Sequence, residues 1–483
     1  MDRPTVVIAG ATGFVGRALY KRLSEEFRVI GLTRDDPSRL RTGGQQWRRC
    51  DLFSLLHCER ALAGADLACY LVHSMLPSAH LTQGAFQDMD LIMADNFARA
   101  AAKSGVKQIL YLGGLIPDGP ELSQHLLSRL EVEQTLASRG VPVTALRAGI
   151  VIGARGSSYR MFKTLVERLR VIPCSRWGRS RTQPIALADV IELARYCLRQ
   201  PSPATASYDI GGPDVLSYRE ILERTAGLLG LKRTIVDVPL TGTLWCRHWL
   251  HFVTGAPLEL VGPLLESMRH SMVVRDRCLQ EEAGIPGRTF DEAVREALAE
   301  ERAGGRPVRT SAERAAARRS NRRTYLYHVR SVQRIPLPPG RTARWAAERY
   351  MQFLPRIFRV LLRGEMDRKG NVRLMLALPR VSLLDHQLAA DRSGKSDRQV
   401  FYITGGILTR RAVRRSRRPR LEFREVLKGT ALLAAIHDYR PSLPWPLYHA
   451  VQARVHLFVM RWFARYLRTE GEASRVVSPV PQS

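Results

Sequence analysis

The chain has 483 residues, 45% of them hydrophobic, and 75 Lys and Arg against 45 Asp and Glu give it a formal charge of +30. This length exceeds what one core usually serves and implies two or three domains, while the apolar and aromatic content excludes global disorder. The charge is lopsided: residues 301–483 hold 38 basic and 13 acidic side chains, a net of +25.

Through the first 150 residues, short runs rich in Val, Ile and Leu alternate with helical segments. Strands are expected over Thr5–Ala9, Arg28–Thr33, Leu67–Val72, Gln108–Leu112 and Val143–Arg147, with helices over Phe14–Glu26, Phe86–Ser104 and Glu121–Arg139. Strands apolar on both faces that alternate with helices imply an α/β fold, a Rossmann-like doubly wound parallel sheet. Further helices are expected at Ala188–Arg199 and Tyr218–Leu229, with a strand at Ala206–Ile210.

After Glu301 the stretch RAGGRPVRTSAERAAARRSNRR is polar, basic and rich in small residues, and reads as a linker over residues 301–323. Beyond it come strands in series at Tyr325–Ile335, Val372–Leu378, Val400–Leu408, Leu421–Val426 and Ala431–Tyr439. They predict a C-terminal α+β domain over 324–470, an antiparallel sheet gripping a long terminal helix, with a flexible tail over 471–483. That helix, at Trp445–Leu467, places Tyr448, Val451, Val455, Phe458, Trp462 and Tyr466 on one face, read as core packing. The seven cysteines are scattered without metal or disulfide spacing, so a reduced, cytoplasmic compartment is expected. No secretory leader is read at the N-terminus, and no uncharged run reaches the roughly 18 residues of a spanning helix.

The most informative stretch is VVIAGATGFVGRALY, Val6–Tyr20. Gly10 follows a strand directly, where a tight turn suits glycine, Gly13 lets main-chain amides approach a diphosphate, and Gly16 allows the helix to pack on the strand. The helix start then offers N–H groups and a positive dipole end to phosphates. Within the strand, turn and helix context, residues 1–300 are expected to hold a dinucleotide through Gly10, Thr12, Gly13, Phe14, Val15 and Gly16.

GATGFVG resembles the fingerprint of short-chain dehydrogenases, especially their extended and atypical branches. The resemblance continues through Asp51-Leu52, similar to the pair that contacts adenine, through LRAGIVIG at 146–153 and through QPIALADV at 183–190. A cap ahead of a helix is the alternative role for Asp51. The second strand ends in Thr33-Arg34, where an NAD-specific site would carry a carboxylate; Arg34 offers a cation to a 2′-phosphate, so NADP(H) is preferred over NAD(H). Val72, His73 and Gly113 lie at carboxyl ends of parallel strands, where ligands gather.

Carbonyl-reducing members of that family use a tyrosine and a lysine four apart on a helix, with a serine nearby. Here His125 stands at the tyrosine position, Arg129 at the lysine position, and Tyr111-Leu112-Gly113-Gly114 places glycine where the serine belongs. Arg129 could hold a ribose or phosphate but cannot release its proton. His125 is the candidate catalytic proton donor, with cofactor packing as its alternative role. Hydride transfer to a quinone-like or small apolar acceptor, bound between Gly114, His125 and the region of Tyr159, asks least of such a site. These substitutions resemble NmrA-like nucleotide sensors and the accessory NAD(P)H-binding subunit of respiratory complex I, which implies a non-catalytic redox sensor as the competing function. The whole pattern resembles bacterial atypical reductase-like proteins with an appended C-terminal domain, here carried by SVQRIPLPPGR, DRQVFYITGGIL and LEFREVLKGTALLAAIHDYRPSLPW.

TRRAVRRSRRPRLEFR, Thr409–Arg424, concentrates eight arginines. Lying between two strands with no base-reading module, it reads as a solvated hairpin loop rather than a nucleic-acid site. Contact with an anionic membrane surface is a further reading, making the protein peripheral there, and an apolar ligand or lipid could occupy the gripped sheet. His437, Asp438 and His456 are too few for a metal site, and none is expected.

Overall fold

The computed structural model describes residues 3–40, 44–73, 81–119, 122–238, 243–303, 329–357, 362–394, 396–409 and 418–476. Two compact units emerge, one built from Met1–Leu76 and Met93–Val308, the other from Pro77–Ile92 and Arg309–Ser483. Most of the expected linker, 304–323, lies outside the described residues, as do 325–328 of the strand expected from Tyr325, 410–417 of the arginine run, and 477–483 of the tail.

The first unit begins with β1 (Thr5–Ala9), α1 (Phe14–Leu23), β2 (Arg28–Thr33), β3 (Gln46–Arg49), α2 (Leu55–Leu62) and β4 (Leu67–Tyr70). A short β5 (Leu81–Gln83) falls in the second unit, after which α3 (Phe86–Lys103), β6 (Gln108–Gly114), α4 (Gln124–Ala137) and β7 (Val143–Ala148) follow. Then come α5 (Ser157–Arg168), α6 (Leu187–Arg199) and β8 (Ala206–Ile210). Seven strands form one parallel sheet in the order β8-β7-β6-β4-β1-β2-β3. Every residue of β1 is buried, as both faces of a parallel sheet must be when helices cover them. On one face Val6 and Ile8 share a core with Leu19 and Leu23 of α1 and Val190, Leu193 and Ala194 of α6. On the other, Tyr70 meets Phe97 of α3 edge-on at 5.1 Å, and the Tyr111 hydroxyl donates to the Arg129 carbonyl of α4 at 3.2 Å. The strand order reverses between β1 and β4, which opens a crevice at their carboxyl ends.

Four more helices, α7 (Tyr218–Leu228), α8 (Thr243–Thr254), α9 (Leu258–Ser267) and α10 (Phe290–Ala303), build a lobe beside α5. Its core joins Tyr159, Phe162, Tyr218, Leu250, Val261 and Val294. The start of α7 is fixed by sequence: Ser217 accepts from the Glu220 amide at 3.2 Å and the Glu220 carboxylate accepts from the Ser217 amide at 2.6 Å. Such a reciprocal cap satisfies two amides that a helix start leaves over.

In the second unit β9 (Val329–Pro336) and α11 (Ala343–Ile357) precede a meander of β10 (Leu362–Met366), β11 (Val372–Leu376), β12 (Ser382–Leu388), β13 (Arg398–Gly405), β14 (Arg420–Val426) and β15 (Ala431–Tyr439). The meander is antiparallel, β9 closes it antiparallel to β15, and β5 adds a parallel edge. The terminal helix α12 (Ala453–Val476) and α11 cover this sheet: Tyr350, Phe353 and Phe463 pack with Phe423 and Leu432.

The expected apolar face of the terminal helix is corrected. Tyr448 is buried, but Val451, Val455, Phe458 and Trp462 are 49%, 47%, 55% and 42% exposed, and Val459, Phe463 and Leu467 are buried instead. A π-helical turn over Tyr448–Gln452 is the cause. It inserts one residue into the helical count, so the buried face moves one position along the chain from there on. The arginine run is also not uniformly solvated, for Arg424 is 1% exposed and bonded to Glu422 within β14. Among the described residues no helix is long and apolar enough to cross a membrane.

Candidate functional site

The site grows from the turn between β1 and α1. Gly10 has φ +88°, and a Cβ there would stand 2.8 Å from the Leu71 carbonyl oxygen, so glycine is required on both counts. At Gly16 a Cβ would lie 2.1 Å from the Gly10 carbonyl oxygen, which is how α1 comes to press against the turn. Gly13 is the residue ahead of α1; its amide donates to the Gly10 carbonyl at 2.8 Å, and no side chain caps the helix start. The first turn of α1 carries no acidic residue, so its positive dipole end is unneutralised from within the helix.

This turn opens onto a cavity of about 410 Å³ at the carboxyl ends of β1, β4, β6 and β7. Gly10, Gly13, Phe14, Val15, Gly16, Val72, His73, Gly113, Gly114, His125 and Arg129 all line it, so residues from four separate segments converge there. Arg155, Ser157, Ser158, Ser267, Met268 and Met272 line it too and were missed by sequence reasoning. The signal for Arg155 and the two serines was available: the segment after β7, another parallel strand end, runs through Arg155 into the first turn of α5 at Ser157 and Ser158. Tyr159 instead faces the lobe core, 1% exposed, while its neighbours Ser157, Ser158, Met161 and Phe162 reach the cavity.

Electrostatically the cavity favours an anion. Arg129 is 7% exposed, and its Nη2 is buried without a hydrogen-bond partner. Arg155 supplies a second guanidinium, and no Asp or Glu occurs among the described lining residues. Burying a guanidinium nitrogen without an acceptor is costly, so the arrangement fits a ligand that brings phosphate or ribose oxygens. The unpartnered Arg129 nitrogen, the uncapped start of α1 and the open side of Gly13 together suit a dinucleotide.

His125 and Arg129 share one face of α4, as four-residue spacing requires. Burial, reinforced by the Arg129 charge and by His73, pushes His125 down to about 3. The imidazole is therefore neutral at pH 7, the form that the adjacent guanidinium favours, and has a single N–H to donate. At Gly114 a Cβ would sit 3.7 Å from Arg129 Cγ, ordinary contact, so the position has room for the serine that the sequence lacks.

Four sequence candidates stand outside the cavity lining. Thr12 is exposed on the turn, where its carbonyl accepts from Arg17 Nε at 2.9 Å. Arg34 is exposed just past β2. Asp51 Oδ1 accepts from the Phe53 amide at 3.2 Å, a local turn, and Ser54 is the residue that caps α2. The Leu52 carbonyl accepts from Asn96 Nδ2 at 2.8 Å, which pins this loop to α3. Arg34 follows β2, and Asp51 and Leu52 follow β3, the side to which the adenosine half of an extended dinucleotide runs in such folds. Ser74, next to His73, lies outside the described residues.

Residues 6–211 match the model of the NAD dependent epimerase/dehydratase family. This part of the chain is similar to that family, and the match ends just past β8. Similar proteins include the auxiliary protein GraX of Staphylococcus aureus, 31% identical over 113 residues, covering 23% of this chain and 37% of that protein. Subunit 9 of the NADH dehydrogenase [ubiquinone] 1 alpha subcomplex of Arabidopsis thaliana is 21% identical over 223 residues, 45% of this chain and 56% of that one. Sanguinarine reductase of Eschscholzia californica is 25% identical over 252 residues, 43% of this chain and 88% of the reductase. The chain thus spans about a third to two thirds of the length of the first curated relatives it matches. The respiratory-subunit relative and the family match agree with the resemblance to short-chain dehydrogenases and to the respiratory accessory subunit read from the sequence.

Proposed function

We propose that the N-terminal unit binds a nicotinamide dinucleotide, NADP(H) in preference to NAD(H), and reduces a small apolar, quinone-like acceptor. The observation that carries this reading is Arg129: a buried guanidinium with an unpartnered Nη2, in a cavity without carboxylates, opposite the uncapped start of α1. The main-chain amides from Gly13 onward hold the diphosphate, Arg129 holds the nicotinamide-side ribose, and Asp51 with Leu52 borders the adenine. Arg34, exposed at the end of β2, pairs with a 2′-phosphate, the basis of the NADP preference.

When bound, the dinucleotide supplies a hydride. The chain itself positions the acceptor against Gly114, His125, Met161 and Met272 and keeps bulk water from the reacting carbon. His125, neutral, orients the acceptor, and the proton that completes reduction of a quinone to a hydroquinone comes from solvent. Similarity to sanguinarine reductase supports a reductase over an epimerase. Titrating NADPH and NADH by nicotinamide fluorescence, then adding a quinone panel, tests the proposal: NADPH binds at least tenfold tighter and is steadily oxidised.

A second reading has its own support. With His125 held neutral and glycine at position 114, the positions that carry the acid and the polarising hydroxyl of a carbonyl reductase carry neither here. A dinucleotide sensor needs neither. Tight NADPH binding without turnover across the panel would select the sensor.

A further inference from the structure

The second unit encloses its own cavity, about 340 Å³, between its sheet and helices α11 and α12. The wall is mostly aliphatic and aromatic, with Leu374, Leu384, Ile403, Leu421, Ile436 and Val459 as its main surfaces. No Lys, Arg, Asp or Glu occurs among the described lining residues. A volume in this range with an apolar wall and a few polar groups is characteristic of small-molecule sites.

The polar groups have a common character. Gln83 donates through Nε2 to the Ala453 carbonyl at 3.1 Å, which leaves its Oε1 at the other end of the amide, buried and without a donor. Gln452 donates through Nε2 to the Tyr439 hydroxyl at 2.6 Å, and that hydroxyl donates onward to the Leu408 carbonyl, so Gln452 Oε1 is likewise buried without a donor. His386 is 6% exposed and turns one ring nitrogen to the Val372 carbonyl; its Nδ1 has no partner and, in the neutral ring, is an acceptor. Ser331 and His456 satisfy one another at 3.1 Å. The cavity thus presents three acceptors that lack a donor and no charge, while the Tyr350 and Tyr448 hydroxyls, which also line it, can each donate or accept.

We propose that this cavity binds a neutral, largely apolar molecule bearing a hydroxyl group, whose O–H supplies the donor that Gln83, Gln452 and His386 lack. A hydrocarbon or an ether would leave the acceptors unpaired. A carboxylate would bring a charge that no cation of the described lining meets. The proposal rests on the second unit alone and is independent of dinucleotide binding.

The test uses the full chain and calorimetry with three probes of one length: 1-decanol, 1-methoxydecane and decanoate at pH 7.5, with NADPH titrated in parallel. 1-Decanol is expected to bind at least tenfold tighter than either competitor. Gln452→Leu and His386→Phe should each cut the preference for the alcohol over the ether to threefold or less, with NADPH affinity unchanged. Gln452→Leu, a close match in shape, decides the matter if His386→Phe fails to fold. Equal or tighter binding of decanoate or the ether, no binding of 1-decanol, or a preference that survives Gln452→Leu would overturn the proposal.

Discussion

Replacing Arg129 with methionine separates binding from folding, because the two effects have opposite signs. The side chain is 7% exposed with a buried, unpartnered Nη2, so without ligand its charge is a liability to the fold. Methionine keeps the packing of the aliphatic stem and removes the desolvated charge, which should stabilise the ligand-free protein by about 1–3 kcal/mol. In a domain of this size that raises the unfolding midpoint by roughly 2–4 °C per kcal/mol. A charge-assisted hydrogen bond contributes about 1.5–3 kcal/mol, so NADPH affinity should fall by roughly 10- to 150-fold. Scanning calorimetry on the free protein and fluorescence titration with NADPH read the two effects separately. The variant also removes the charge that depresses His125, so the imidazole should titrate above its present value of about 3. A destabilised Arg129→Met that binds NADPH with unchanged affinity would refute the reasoning.

Four further outcomes follow from particular contacts. Gly16→Ala, whose Cβ would lie 2.1 Å from the Gly10 carbonyl oxygen, should cost about 1–3 kcal/mol and lose NADPH binding; wild-type behaviour in both assays would contradict the geometry of the turn. Arg34→Ser should weaken NADPH about tenfold and leave NADH unchanged, a difference that paired fluorescence titrations would read. His125 holds its folded value near 3 against 6.5 when unfolded, so the unfolded state binds the extra proton between those values and stability falls as pH drops from 6.5 toward 3. His125→Gln should therefore flatten stability against pH by about one proton, or about 1.4 kcal/mol per pH unit, in urea titrations between pH 4 and 6. On α12, Phe458→Ser should change stability by no more than about 0.5 kcal/mol while Phe463→Ala costs about 3–5 kcal/mol; the reverse order would restore the simple helical register.

What was legible in the sequence follows from how local its cause is. The strand-turn-helix at Val6–Tyr20 could be read because each glycine answers a constraint within a few residues, and the periodicities of β1, β2, β6 and β7 belong to strands buried on both faces. The convergence of Val72, His73, Gly113, His125 and Arg129 was also legible, since parallel strands deliver their carboxyl ends to one edge. Contributions from Ser267, Met268 and Met272 were not, because a lobe folding back over the crevice leaves no local pattern. The face of α12 was misread through a single π-turn, a backbone event that side-chain spacing cannot report. The meander lost β10 and β12 to sequence analysis: GEM in β10 is exposed, and β12 carries Asp, His and Gln in a row between leucines, without apolar alternation. The edge contributed by β5, some 250 residues from its neighbour β9, rests on pairing at a distance that no window of sequence contains.

The central claim is a dinucleotide lying across the crevice between β1 and β4, and a crystal structure of the full chain grown with NADPH tests it most directly. The expected result has diphosphate oxygens within about 3 Å of the main-chain amides at the start of α1 and a ribose or phosphate oxygen on Arg129 Nη2. A coenzyme bound elsewhere on the chain, with Arg129 still without an acceptor, would contradict it.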